Sequence, residues 1–220
     1  MGSGCRGDPG HTIGLKRWGK DGFDTMTPGL EEREKTRPPM GALRYETPVD
    51  LYAAIPQVAE LTQHRPREGE DALEFLARLR SSTTPEEAVT YTAFAALPQM
   101  AVWWGHECLR TMPDLLDARD REMMEMIAGW TARPTTDMRH QIMRVALWAP
   151  ARSPAVMLGL AVGWSGGSIA PNDPAPVPIF RAPRSINSAI LSCLAKVDLA
   201  RRPIHLARII NMAESLYRIY

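Results

Sequence analysis

Cysteine is scarce in this chain, with three among 220 residues, and the three are widely scattered (Cys5, Cys108, Cys193). That excludes a disulfide framework and points to a reducing compartment, the cytoplasm. Cys108 and Cys193 fall on apolar helical faces, where a free thiol acts as a small hydrophobe. No apolar run approaches the roughly 18 residues that span a bilayer, so no membrane role is expected. The Gly-rich start lacks the apolar stretch of a secretory signal, and Met1-Gly2-Ser3-Gly4-Cys5-Arg6 lacks the hydroxyl residue of a myristoylation signal. Lysine is nearly missing: 22 of the 26 basic residues are arginine. The net charge of +1 gives no whole-protein attraction to nucleic acid. There is no alternating strand pattern, P-loop, dinucleotide fingerprint or metal quartet, so neither a cofactor nor a metal is expected.

What is present is helix punctuation. Residues 1–46 are rich in Gly, Pro and charge and read as a flexible tail, with Trp18, Phe23 and Leu30 as isolated apolar residues. From residue 47 to 220 the pattern is that of one helical domain. Thr47-Pro48 and Thr84-Pro85-Glu86-Glu87 read as N-caps followed by Pro and acids in the first turn. Leu97-Pro98 opens a helix, Met112-Pro113-Asp114 closes it and opens the next, and Arg133-Pro134-Thr135 precedes a stripe of Met138, Ile142, Val145 and Ala149. Ser185 caps an amphipath of Ile186, Ala189, Ile190, Cys193, Leu194 and Val197. A last helix carries Leu206, Ile209, Ile210, Ala213, Leu216, Tyr217 and Tyr220 on one side, with His205, Arg208, Glu214 and Arg218 on the other. The expectation is an all-α fold, a compact bundle of about eight antiparallel helices paired as hairpins. Residues 168–184 hold Pro171, Pro174, Pro176, Pro178 and Pro183 and read as an extended strip across the surface.

Charge is unevenly placed. Residues 48–150 carry 10 basic against 15 acidic side chains, and residues 151–220 carry 8 against 3. Either the two parts pack on each other, or Arg181, Arg184, Arg201 and Arg202 form a basic patch facing a partner.

The stretch "GWSGG" (Gly163 to Gly167) matches the G-x-S-x-G nucleophile elbow. An elbow requires a strand entering and a helix leaving. The prolines that follow leave no room for that helix, and the residues before it read as a helix over 154–164. Gly166 and Gly167 are then a structural turn able to take positive φ, with Trp164 packed at the helix end. A serine hydrolase or toxin effector using Ser165 with His205 or His106 is the alternative reading.

In Trp103-Trp104-Gly105-His106-Glu107-Cys108, His106 and Cys108 point about 200° apart on a helix and cannot share a metal. Trp104, Cys108 and Met112 form a core stripe, while Trp103, His106 and Arg110 share the other side. Trp103 is either a groove edge or a contact point. Met123, Met124, Met126, Met138 and Met143 read as core filler, with an adaptable binding surface as the alternative.

The block Trp164-Ser165-Gly166-Gly167-Ser168-Ile169-Ala170-Pro171, with the Trp103 to Arg110 segment upstream, resembles an uncharacterised bacterial all-helical family. Its pattern is W-S-G-G-S-(L or I)-A-P, and the likeness covers about residues 70–220. That resemblance implies the neighbourhood of type VI secretion genes, and so a cytoplasmic adaptor or chaperone for a secreted effector, a spike-tip protein or an adaptor component. The arginine bias suits a GC-rich bacterial source. No activity comes with the family, so a non-enzymatic protein-binding role is expected. Its candidate contacts are Trp103, Trp164, Ser168, Pro171, Pro174, Pro178, Arg181 and Arg184.

Overall fold

A computed structural model describes residues 41–168 and 175–219. The described residues form nine α-helices and no strand, so the domain is all-α. In chain order these are α1 (Pro48–Ala54), α2 (Ala72–Arg80), α3 (Glu87–Ala95), α4 (Pro98–Arg110) and α5 (Ala118–Ala132). Then follow α6 (Thr136–Trp148), α7 (Pro154–Gly163), α8 (Arg181–Lys196) and α9 (Arg202–Ile219).

Helix starts follow the local chemistry. Thr47, Asp71, Asp117, Thr135 and Ser153 each accept a backbone N–H of the first turn through a side-chain oxygen, which satisfies one of the orphan donors there. Helix ends are closed by arginine. Arg44 donates to the Ala96 carbonyl after α3 at 2.9 Å, and Arg152 to Ala146 O near the end of α6 at 2.7 Å. Arg202 donates to the carbonyls of Leu194, Ala195 and Val197 after α8. A planar cationic fork meets both the unpaired carbonyls and the negative end of the helix dipole. These three arginines are therefore architectural.

Two helices are interior. All nine residues of α3 are buried, and in α7 only Met157 is not. α7 packs on α4, α5, α6 and α8, and α3 packs on α1, α2, α4, α8 and α9, so α8 joins both neighbourhoods. The amphipath of α8 is buried as its spacing predicts. Close approach depends on small residues: a Cβ on Gly105 of α4 would lie 2.9 Å from Leu158 Cδ1 and 3.2 Å from Ile186 Cγ2. An edge-to-face ladder of Phe75, Tyr91 and Tyr217 ties α2, α3 and α9 together.

Several expectations need correction. Residues 41–46 do not share a flexible tail: Ala42 and Leu43 are core residues, and Arg44 N–H bonds Ala95 O at 2.8 Å. The rest of that segment, with Cys5, Trp18, Phe23 and Leu30, lies outside the described residues. Pro113–Leu115 is a single 3-10 turn, and α5 starts only after the Asp117 cap. The buried stripe of α6 is Arg139, Ile142, Met143 and Ala146, which leaves Val145 exposed. The extended strip ends before Arg181. Pro183 sits in the first turn of α8, where its missing N–H costs nothing. Ser185 is thus inside α8 and donates to Met157 O at 2.7 Å instead of capping.

Candidate functional site

The site is built on the end of α7. Trp164 N–H closes the helix on Leu160 O at 3.0 Å, and Ser165 N–H bonds Val162 O at 3.1 Å. Gly167 then takes φ +65°, a left-handed conformation that L side chains resist. Beyond it Ser168 forms an antiparallel bridge with Pro176, and Val177 N–H reaches Gly167 O at 3.3 Å. Gly166 has an ordinary φ and open space around it.

Arg139 of α6 clamps this turn. Its Nη1 donates to Gly163 O at 2.7 Å and to Ser168 O at 3.0 Å. Its Nη2 donates to His140 Nε2 at 2.8 Å; since arginine only donates, His140 accepts with that nitrogen. The side chain is buried, and burial lowers the guanidinium pKa from its ordinary value. Among the described residues no carboxylate pairs with it. Carbonyl dipoles therefore hold this cation in place.

Above the turn, the Arg181 guanidinium lies 5.9 Å from the centroid of the half-buried Trp164 ring. Arg181 and Ile179 are exposed and Pro178 is half-buried, its carbonyl accepting Arg181 N–H at 3.0 Å. Arg184 stacks over Phe180 at 5.9 Å and pairs with Glu60 at 2.8 Å. The structure thus joins Trp164, Ser168, Pro178 and Arg181, along with Gly167, in one surface. Pro171 and Pro174 lie outside the described residues. Trp103 is 38% exposed on α4, and among the described residues its ring makes no aromatic or cation–π contact with this group. Arg202 leaves the expected basic patch, because it caps α8.

Ser165 does not sit in an elbow. The element before it is a helix, and its hydroxyl donates to Val162 O at 2.7 Å. His106 is buried, although it lies on the side of α4 away from the Trp104 stripe, with Nδ1 3.1 Å from Glu107 Oε1. Both described thiols are buried; burial pushes Cys193 up to about 11 and Cys108 well above its ordinary value, so neither is a nucleophile at neutral pH. Among the described residues no group of three His, Cys, Asp or Glu is placed to hold a metal ion, and no helix is long and apolar enough to cross a membrane.

Two features escaped sequence reasoning. Arg139 heads the buried stripe of α6, and its spacing to Ile142, Met143 and Ala146 was the available signal. Trp148 is 85% exposed at the end of α6; a helix-ending position gave no sign of its orientation.

No curated protein and no solved structure matches the chain. A profile described as a family of unknown function, DUF6931, matches residues 75–217. The matched span runs from Phe75 to Tyr217 and encloses the clamped turn. The chain belongs to the DUF6931 family of unknown function.

Proposed function

We propose that this domain is a non-enzymatic protein-binding module, an adaptor or chaperone for a type VI secretion effector or spike component, acting in the cytoplasm. The observation that carries the binding role is the Trp164–Arg181 pair, flanked by exposed Ile179 and mounted on a turn fixed by Arg139. Tryptophan and arginine dominate binding hot spots, and a rigid mount lowers the ordering cost of association. The secretion context rests on the W-S-G-G-S block and its resemblance alone.

The test is affinity purification of the tagged full chain from its native host, beside an Ile179→Asp/Arg181→Glu variant. Both substituted side chains are exposed, so the variant keeps its fold. A secretion component retained by the native chain and lost by the variant is the expected result. Retention by both sinks the assigned surface, and absence from both sinks the role. Fluorophosphonate labelling that disappears in Ser165→Ala would replace this reading with the hydrolase.

A further inference from the structure

A cleft of about 360 Å³ lies away from the clamped turn, between the α4–α5 connection and the start of α9. One wall is the turn of residues 111–115. The other presents Lys196, Arg201, Ile204, His205 and Arg208. Arg201, Ile204, His205 and Arg208 follow one another at i, i+3, i+4 and i+7, a single helical face. The His205 N–H to Arg201 O bond of 3.2 Å keeps Arg201 in that register.

Unpaired cations also occur elsewhere among the described residues, at Arg119, Arg121, Arg133 and Arg144, but only here do three of them line one cavity with an exposed aliphatic side chain, while other arginines are engaged. Arg110 is held by Glu107, Arg184 by Glu60, and Arg202 by three carbonyls. Lys196, Arg201 and Arg208 are exposed, and among the described residues none has a carboxylate at ion-pair distance. His205 adds a buried Nδ1 with no hydrogen-bond partner among the described residues. Two acids also line the cleft. Asp198 is engaged in its own turn, accepting Ala200 N–H at 2.8 Å, and Asp114 stands on the opposite wall. The α9 side therefore gathers three cations that form no ion pair with these acids.

Among these cations a large aliphatic side chain of the same wall stands in water, Ile204 at 63% exposure. A bare anion would satisfy the charges and leave Ile204 uncovered. The volume sits at the small end of the roughly 300–1,000 Å³ typical of ligand pockets, enough for a few side chains and too little for a helix. We infer that this cleft docks an extended acidic peptide segment of a partner protein, with carboxylates on Lys196, Arg201 and Arg208 and an aliphatic side chain on Ile204. The inference shares with the proposed function only that the ligand is a protein. It uses none of the Trp164–Arg181 surface, so the two fail separately.

Fluorescence anisotropy of the full chain with a labelled Glu-Leu-Asp-Leu-Glu-Leu peptide at low salt provides the test. The expected result is binding at least roughly tenfold tighter than to Gln-Leu-Asn-Leu-Gln-Leu, weakened by added salt. Arg201→Glu/Arg208→Glu loses that tenfold, as does Ile204→Asp, while Ile179→Asp/Arg181→Glu leaves it intact. Circular dichroism confirms the fold of each variant, and Arg208→Ala serves if the double reversal does not fold. Equal binding of the amide peptide, binding that survives every cleft substitution, or no binding up to about 1 mM overturns the inference. Displacement by inorganic phosphate at concentrations matching unlabelled peptide also overturns it, and makes the cleft a small-anion site.

Discussion

The Arg139 guanidinium of α6 donates to the Gly163 carbonyl, the last residue of α7, at 2.7 Å. One side chain thus closes a helix and, through Ser168 O, fixes the turn that follows. Arg139→Ala leaves two carbonyls without their charged donor. The loss is about 2–3 kcal/mol, read as a fall in Tm of roughly 4–12 °C for a domain of this size. Arg139→Lys recovers less than half, because the lysine nitrogen stops short of the Nη1 position and the Nη2 bond to His140 is lost. A thermal melt of the three proteins checks this; full recovery by lysine would make charge alone sufficient.

Gly166 and Gly167 are neighbours with opposite expected tolerance. At φ +65° an added Cβ on Gly167 is strained and lies 3.2 Å from Arg139 Nη2. Gly167→Ala therefore costs about 1–2 kcal/mol. Gly166 has nothing within 4 Å of its added Cβ and no positive φ, so Gly166→Ala stays within about 0.5 kcal/mol of the parent. Urea unfolding of the two variants measures the difference.

Acid destabilises the packing at the head of α3. Burial raises the Glu87 pKa, but bonds from the backbone N–H of His64 and Gln63, the Thr84 hydroxyl and the His64 ring outweigh it and hold the carboxyl below its ordinary value. A carboxyl depressed in the folded state adds stability that is complete above the unfolded-state value and is lost as pH falls through the folded one. Stability should therefore fall as the pH drops below the ordinary carboxylate range. Glu87→Gln should remove its share of that slope and cost about 1–2 kcal/mol at pH 7. Denaturant midpoints measured across pH test both statements.

Helix type and the starts of α1, α4, α6 and α7 were legible because their causes are local, whereas α3 starts at Glu87 with no cap from Thr84. Thr47, Thr135 and Ser153 each reach a donor three residues away, and proline marks the first turn of α1, α4 and α7. The stripes of α8 and α9 follow a single period. Helix ends were much less legible, since Arg44, Arg139 and Arg202 reach carbonyls 52, 24 and about eight residues distant. No window of sequence contains both partners of the first two. The Trp164–Arg181 contact was foreseen as a pair of candidate residues but not as a pair of touching groups. The cleft of α9 required knowing which turn faces Arg201 and Arg208.

The burial of α7 on every side bears on how the chain is made. Its neighbours α4, α5 and α6 precede it in synthesis, but its partner α8 comes after the Pro-rich connection. While the ribosome is still making that connection, one face of a nearly all-apolar helix has nothing to cover it. The nascent chain passes through a sticky interval that ends only when the α8 residues emerge and fold back. Ribosome-bound chains stalled before residue 181 should accordingly draw on holdase chaperones more heavily than chains released past residue 196.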